Sequence, residues 1–156
     1  MLVGVVVIAH EPLASALSAA ARHVYSCAPA RATDQVAVFD VAADADVTQA
    51  VAHARQLLRD VDRGAGVLVM TDAFGATPGN IASQVAEAGR VAVVAGVNLP
   101  MLLRALCYRE GKLTETVDKA MTGGTQGVMQ VGGGTSVQNQ SNKPSGHDYA
   151  RFQDQQ

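Results

Sequence analysis

The chain has 156 residues, a formal net charge of −2 and an apolar fraction of 48%, while aromatic residues make up only 4% of it. This length fits one domain with a sizeable hydrophobic core. The near-neutral charge provides no electrostatic footprint for nucleic acid or for an anionic membrane surface, and the scarcity of aromatic residues argues against base stacking. We therefore expect neither nucleic-acid binding nor direct membrane binding.

Cysteine usage and the N-terminal sequence together predict a cytoplasmic protein. Cys27 and Cys107 lie far apart and lack CxxC or Cys/His spacing, so we expect reduced thiols. The first apolar run follows no basic region and is too short to span a bilayer. His23 and His53 fall on predicted helices without zinc-ligand spacing, and we expect no metal or other cofactor.

The first predicted element is a valine-rich apolar run at residues 2–9, followed by His10, Glu11 and Pro12. Such a run is typical of a strand buried on both faces of a parallel sheet. Proline is tolerated at the first helical position, so a helix is predicted to begin at Pro12. His10 then lies at the carboxyl end of the first strand, which is the edge where open α/β sheets bind ligands.

Strands and helices alternate along the rest of the chain. Apolar runs predict strands at 36–41, 67–70 and 91–95, and a last short strand at 127–131. Apolar residues at three- and four-residue spacing predict helices at 12–25, 47–61 (with Asp46 as N-cap) and 78–88, a fourth that begins at 101 and is broken by Gly111, and a fifth at 114–121. This order predicts a doubly wound, mostly parallel α/β sheet with helices on both faces.

The C-terminal part of the sequence changes in character. Residues 132–156 are rich in Gly, Gln, Ser and Asn and nearly devoid of aliphatic side chains. Such a segment cannot bury enough apolar surface to offset the entropy lost on ordering. We predict one folded domain, residues 1–131, and a disordered polar tail, residues 132–156.

Three predicted strand ends bring His10, Asp72 and Asn98 to one edge of the sheet. A neutral imidazole offers a lone pair, and a carboxylate holding its other ring N–H would fix the tautomer. Asp72 and Asn98 are also common turn residues, so each has a purely structural interpretation. The set favours a histidine nucleophile for a phosphoryl group, with a metal site, a binding protein and a hydrolase as open alternatives.

The turn after the third strand could add an anion site. Thr77 is predicted to cap a helix that has Pro78 in its first position, and the unpaired amides there would favour a phosphate. Gly75 and Gly79 would let the backbone approach a ligand, or would only close a tight loop. A P-loop requires a lysine after its glycines, and none is present here. The chain also contains no GxSxG motif, the nucleophile elbow of serine hydrolases.

Three segments in this order and spacing, GVVVIAH, VLVMTDAFGATPGNIA and VVAGVNLPML, resemble the IIA component of the mannose-type family of the bacterial sugar phosphotransferase system. The resemblance covers residues 1–131. It implies four parallel strands and a final antiparallel strand that is exchanged between the two subunits of a homodimer. It also implies that His10, with Asp72 beside it, takes a phosphoryl group from the carrier protein HPr and passes it to a IIB partner.

The sequence departs from the family pattern in its loop motif. Family members commonly have Gly-Gly-Ser/Thr-Pro where this chain has Gly75-Ala76-Thr77-Pro78. We also expect no fused IIB domain, and therefore a separate IIB acceptor or none, with contact to a membrane only through a IIC/IID permease. The alternatives are a regulatory protein whose phosphorylation state is read without sugar transport, and a protein that binds a small anion without turnover.

Overall fold

A parallel sheet of four strands, in the order β2-β1-β3-β4, forms the centre of the molecule. The computed structural model describes residues 1–25 and 34–132. The strands are β1 (Gly4–His10), β2 (Val36–Val41), β3 (Val67–Thr71) and β4 (Val91–Ala95). The helices are α1 (Leu13–Val24), α2 (Val47–Val61), α3 (Thr77–Ser83), α4 (Leu99–Tyr108) and α5 (Leu113–Gln126). The predicted α/β fold is confirmed.

The central strand β1 supplies side chains to a hydrophobic core on each face of the sheet. Val6 and Ile8 pack in a cluster with residues of α2 and α3, whereas Val5 and Val7 pack with residues of α1, α4 and α5. All four side chains are fully buried. This explains the continuous apolar run, because a strand covered on both faces has no side on which polar residues are favoured.

The first helix and the third helix begin one residue away from the predicted positions. α1 begins at Leu13, so Pro12 occupies the N-cap position and the helix does not start at the proline. α3 begins at Thr77, and Ala76 occupies its N-cap position. The prediction that the Thr77 hydroxyl caps α3 is therefore wrong, because Thr77 is already inside the helix.

The second and fourth helices both begin after a capping side chain. Asp46 is confirmed as the N-cap of α2, and its Oδ1 accepts the backbone N–H of Gln49 at 2.8 Å. α4 begins at Leu99, earlier than predicted, because the Oδ1 of Asn98 accepts the N–H of Met101 at 2.9 Å and so stabilises the first turn.

The third helix is shorter than predicted, and the fifth is longer. α3 ends at Ser83, and the backbones of Glu87 and Val91 exchange hydrogen bonds of 3.1 and 2.8 Å that turn the chain into β4. α5 continues to Gln126 through Gly123 and Gly124, both buried. Periodicity could not predict this extension, because glycine disfavours a helix unless close packing requires it.

The predicted fifth strand is not formed in the described part of the chain. Residues 127–131 leave α5 as an irregular segment. Val128, Met129 and Val131 are 78%, 65% and 87% exposed. A strand needs an adjacent edge for its backbone hydrogen bonds, and in this single chain the segment pairs with no described strand. Exchange of the segment between subunits stays a prediction.

Some predictions fall on residues that are not described. The predicted disordered tail, apart from the exposed Gly132, and Cys27 both lie outside the described residues. Cys107 is a half-buried free thiol. Across residues 1–25 and 34–132, no helix combines the length and the apolar character needed to cross a membrane.

Candidate functional site

His10 and Asp72 meet at the edge of the sheet where the parallel strands end. His10 is the last residue of β1, and Asp72 directly follows β3, the neighbouring strand. The Nδ1 of His10 lies 2.7 Å from the Oδ2 of Asp72, and the same oxygen accepts the backbone N–H of His10 at 3.0 Å. The structure thus brings together the two residues that the sequence placed at this edge.

The carboxylate of Asp72 is largely enclosed and hydrogen-bonded through both oxygens. Its side chain is 13% exposed, and its Oδ1 accepts the N–H of Ala73 at 2.8 Å. Burial raises the pKa of Asp72, but the hydrogen bonds from His10 and Ala73 outweigh this effect and hold the pKa below its ordinary value. Asp72 is therefore ionised at neutral pH and can only accept hydrogen bonds.

An ionised carboxylate on Nδ1 determines what the His10 ring presents to solvent. Because Asp72 can only accept, Nδ1 carries the proton, and Nε2 of the neutral ring carries the lone pair. The His10 side chain is 51% exposed, although it ends a strand that is otherwise buried. The site therefore offers a nucleophilic nitrogen, with fixed orientation and tautomer, to a reactant arriving from solvent.

The loop after Asp72 depends on two glycines for different reasons. Gly75 has a φ of +82°, in the left-handed region that favours glycine. A Cβ on Gly79 would lie 2.8 Å from the carbonyl oxygen of Ala73, so this position requires close backbone approach. Ala76 has a φ of −83° and a ψ of 169°, an extended conformation that any residue adopts. The alanine that departs from the family motif therefore fits without strain.

The side chain of Asn98 forms hydrogen bonds with both of its polar atoms to backbone groups of α4 and α5. Its Oδ1 accepts from Met101, and its Nδ2 donates to the carbonyl oxygen of Gly124 at 3.1 Å, which ties the start of α4 to α5. The loop before Asn98 contacts the site through a backbone hydrogen bond, in which the N–H of Gly96 donates to the carbonyl oxygen of Asp72 at 2.9 Å. The geometry favours a loop-positioning role for Asn98, and Thr77 lies exposed at the start of α3.

Two residues near the site were not predicted from the sequence. Asp40 in β2 accepts the N–H of Ser15 at 3.1 Å through its Oδ1. The sequence feature that could have pointed to Asp40 is an acidic residue inside the otherwise apolar strand VAVFDV. Phe74 lies two residues after Asp72 and is 92% exposed. Its signal was a large aromatic residue in a turn made otherwise of small and polar residues.

A family model covers most of this chain. The model, described as PTS system fructose IIA component, matches residues 4–121. The PTS system fructose-specific EIIA component of Bacillus subtilis (strain 168) is 46% identical over 56 residues, which are 35% of this chain and 38% of that protein. This chain therefore covers well under two thirds of that relative's length.

Two solved structures share the fold at low sequence identity. The mannose/sorbose specific IIA subunit of the phosphotransferase system from Enterococcus faecalis aligns with a TM-score of 0.74 and 20% identity, covering 88% of this chain and 100% of that one. The phosphotransferase system component EIIA from Streptococcus agalactiae aligns with a TM-score of 0.70 and 21% identity, covering 83% and 97%. At these identities the likeness concerns the fold alone.

Proposed function

Since this chain belongs to the family of PTS system fructose IIA components, we propose that it is a phosphohistidine carrier that receives a phosphoryl group on His10 and passes it on. The observation that carries the proposal is the 2.7 Å contact between His10 Nδ1 and Asp72 Oδ2. This contact leaves Nε2 of a half-exposed ring as the nucleophile. Family membership supports a phosphotransferase role in general, and the contact between His10 and Asp72 supports these two as the residues that perform it.

In the proposed transfer, the lone pair on Nε2 of His10 forms a bond to phosphorus as the bond from phosphorus to the donor's imidazole breaks. The donor ring, protonated on its other nitrogen, keeps the electron pair of that bond and leaves as a neutral ring. The phosphorylated His10 ring becomes positively charged, and the Asp72 carboxylate on Nδ1 stabilises that charge. Onward transfer reverses these steps, with His10 as the leaving group.

We assign the donor and acceptor roles to proteins. HPr is the proposed donor, and a separate IIB component is the proposed acceptor; a membrane is reached only through a IIC/IID permease. The half-exposed His10 side chain supports this assignment, because a site open to solvent admits a histidine from another protein. A cytoplasmic location and a homodimer belong to the same proposal. Gly75 would shape the loop facing the transferred group, and Thr77 would lie at its rim.

The decisive experiment replaces His10. We expect phosphorylated HPr to leave an acid-labile, base-stable phosphate on the wild type and none on His10→Ala, because among the histidines that the structure describes only His10 is paired with Asp72. His23→Ala is the matched control, since His23 is an exposed histidine in the last turn of α1. Phosphate retained on folded His10→Ala would refute the assignment.

A second experiment separates transport from regulation. When the phosphorylated protein is used to capture partners from a cell extract, the carrier role predicts recovery of a IIB protein that accepts the phosphoryl group. Recovery of a kinase or a transcriptional regulator, with the phosphate remaining on His10, would instead support the regulatory alternative.

A further inference from the structure

Asp40 lies beside the site on the strand next to β1. Its Cα is paired with that of Ala9, the residue before His10, in the parallel ladder between β1 and β2. Paired residues point to the same face of a sheet, and on this face Ala9 packs with residues of α1. There the Oδ1 of Asp40 accepts the N–H of Ser15, the third residue of α1, at 3.1 Å.

This contact satisfies an amide that the helix cannot satisfy itself. The first N–H groups of a helix lack partners within it, and a side chain at the N-cap usually accepts one of them. Pro12 occupies the N-cap position of α1, and a proline side chain has no oxygen that could accept a hydrogen bond. The carboxylate of Asp40 supplies that oxygen from another element, and its negative charge suits the positive end of the helix dipole.

The connection from α1 back to His10 is short. Only Glu11 and Pro12 separate the end of β1 from the start of α1. The hydroxyl of Ser15 donates to the carbonyl oxygen of Pro12 at 3.1 Å, and the N–H of Glu11 donates to that of Val41 at 3.1 Å. A shift of the first turn of α1 therefore has only two residues over which it could be absorbed before it reaches the backbone of His10.

We propose that Asp40 is a positioning residue for His10. By holding the first turn of α1, it holds the backbone from which the His10 ring reaches Asp72, and so keeps Nδ1 on the carboxylate and Nε2 towards solvent. Asp40 acts through α1 and needs no contact with the phosphoryl group. The importance of this role for transfer rests on the function proposed above for His10.

The test compares Asp40→Ala, which removes the acceptor, with Asp40→Asn, which keeps an acceptor oxygen in place. Asp46→Ala is the matched control, because Asp46 accepts the N–H of Gln49 at the start of α2, which is not connected to His10 in this way. One measurement is the tautomer of the His10 ring, read from its ¹⁵N chemical shifts without any donor. The other is the KM and kcat of phosphoryl transfer from HPr, well below the melting temperature.

We expect Asp40→Ala to mix the two tautomers of His10 and to lower kcat about 10-fold with KM unchanged, as a misplaced reacting group does. Asp40→Asn and Asp46→Ala should both show the wild-type tautomer of His10 and the wild-type kcat. A folded Asp40→Ala protein with the wild-type tautomer and rate would overturn the proposal, as would a failure of Asp40→Asn to restore them.

The two proposals fail separately. If HPr never phosphorylates the wild type, the carrier function fails, while the tautomer comparison still decides whether Asp40 positions His10. Asp40→Val suits a strand and also lacks an acceptor, so it replaces Asp40→Ala if that protein does not fold. Loss of folding in both would show a general structural role and would overturn the specific one.

Discussion

The carboxylate of Asp72 accepts three N–H groups, from the ring and the backbone of His10 and from the backbone of Ala73. Each of these hydrogen bonds is stronger to the ionised form, and together they lower the pKa of Asp72 despite its burial. The carboxylate is thus charged at neutral pH. It can then stabilise a positive charge on the imidazole ring in the proposed transfer.

Replacing the charge of Asp72 with an amide should slow the chemistry while preserving the fold. In Asp72→Asn the amide can donate to Nδ1 and so favours the wrong tautomer, and it carries no charge to stabilise the phosphorylated ring. We expect phosphoryl transfer to and from His10 to slow about 10²-fold. The measurement is rapid quenching of both transfers, with Asp44→Asn, an exposed acid, as control. Unchanged rates in both directions would mean that Asp72 is only a turn residue.

The lowered pKa of Asp72 also predicts how stability changes with pH. A carboxyl group with a lower pKa in the folded state stabilises that state above its unfolded pKa, about 3.9, and the contribution is lost as the pH falls through the folded pKa. The difference in unfolding free energy between wild type and Asp72→Asn should be constant near neutral pH and shrink below about pH 5. Urea denaturation across this range measures it. A difference that grows towards acid pH would contradict the assigned direction.

At the scale of elements, close packing between α4 and α5 determines where the β4–α4 loop lies. A Cβ on Gly123 would lie 2.5 Å from the Cβ of Arg104, and a Cβ on Gly124 would lie 2.6 Å from the Cε of Met101. The helices approach this closely only because these positions lack side chains. The same approach lets Asn98 reach the backbone of Gly124 and so fixes the loop whose Gly96 donates to Asp72.

Gly123→Ala should therefore destabilise the protein, although glycine-to-alanine changes inside helices normally favour the helix. The added methyl meets the Cβ of Arg104, which cannot move without its backbone, so the helices must separate. We expect a loss of about 1–3 kcal/mol in unfolding free energy, the usual cost of overpacking. Urea denaturation measures it, with Thr122→Ala on the exposed face of α5 as control. A stabilised Gly123→Ala protein would show that the two helices are not tightly packed.

At the scale of the whole molecule, residues 127–131 form a largely apolar segment that pairs with no described strand. Exposed valine and methionine side chains next to one another are unfavourable in water, and such segments commonly mark contacts between chains. The proposed homodimer would cover them if each subunit gave this segment to the sheet of the other.

Two truncations test this arrangement. A chain that ends after Val131 should remain a dimer and still be phosphorylated, because it keeps the whole apolar segment. A chain that ends before Gly127 should give monomers or aggregates, because an unpaired edge is then exposed. Light scattering distinguishes these states. A well-behaved dimer from the shorter chain would exclude the segment as the dimer contact.

The strands and the residues that follow them could be predicted because their signals are local. The apolar runs of β1 and β3 end where His10 and the Asp72 turn begin, and parallel strands share the edge at which they end. Asp46 was recognised as a cap from the same kind of local pattern. The chemistry of a few consecutive residues determines these strand ends and this helix cap, whatever the segment packs against.

Only the tertiary structure decided which of these residues act together. Adjacency of β1 and β3 in the sheet order placed the His10 ring on Asp72, and the β1–β2 register placed Asp40 beside α1. At the contact between α4 and α5, both polar side-chain atoms of Asn98 form hydrogen bonds, and α5 continues as a helix through two glycines. The physical reason is the same in each case. A hydrogen bond or a close approach between distant segments depends on where both of them pack, and neither segment's own residues contain that information.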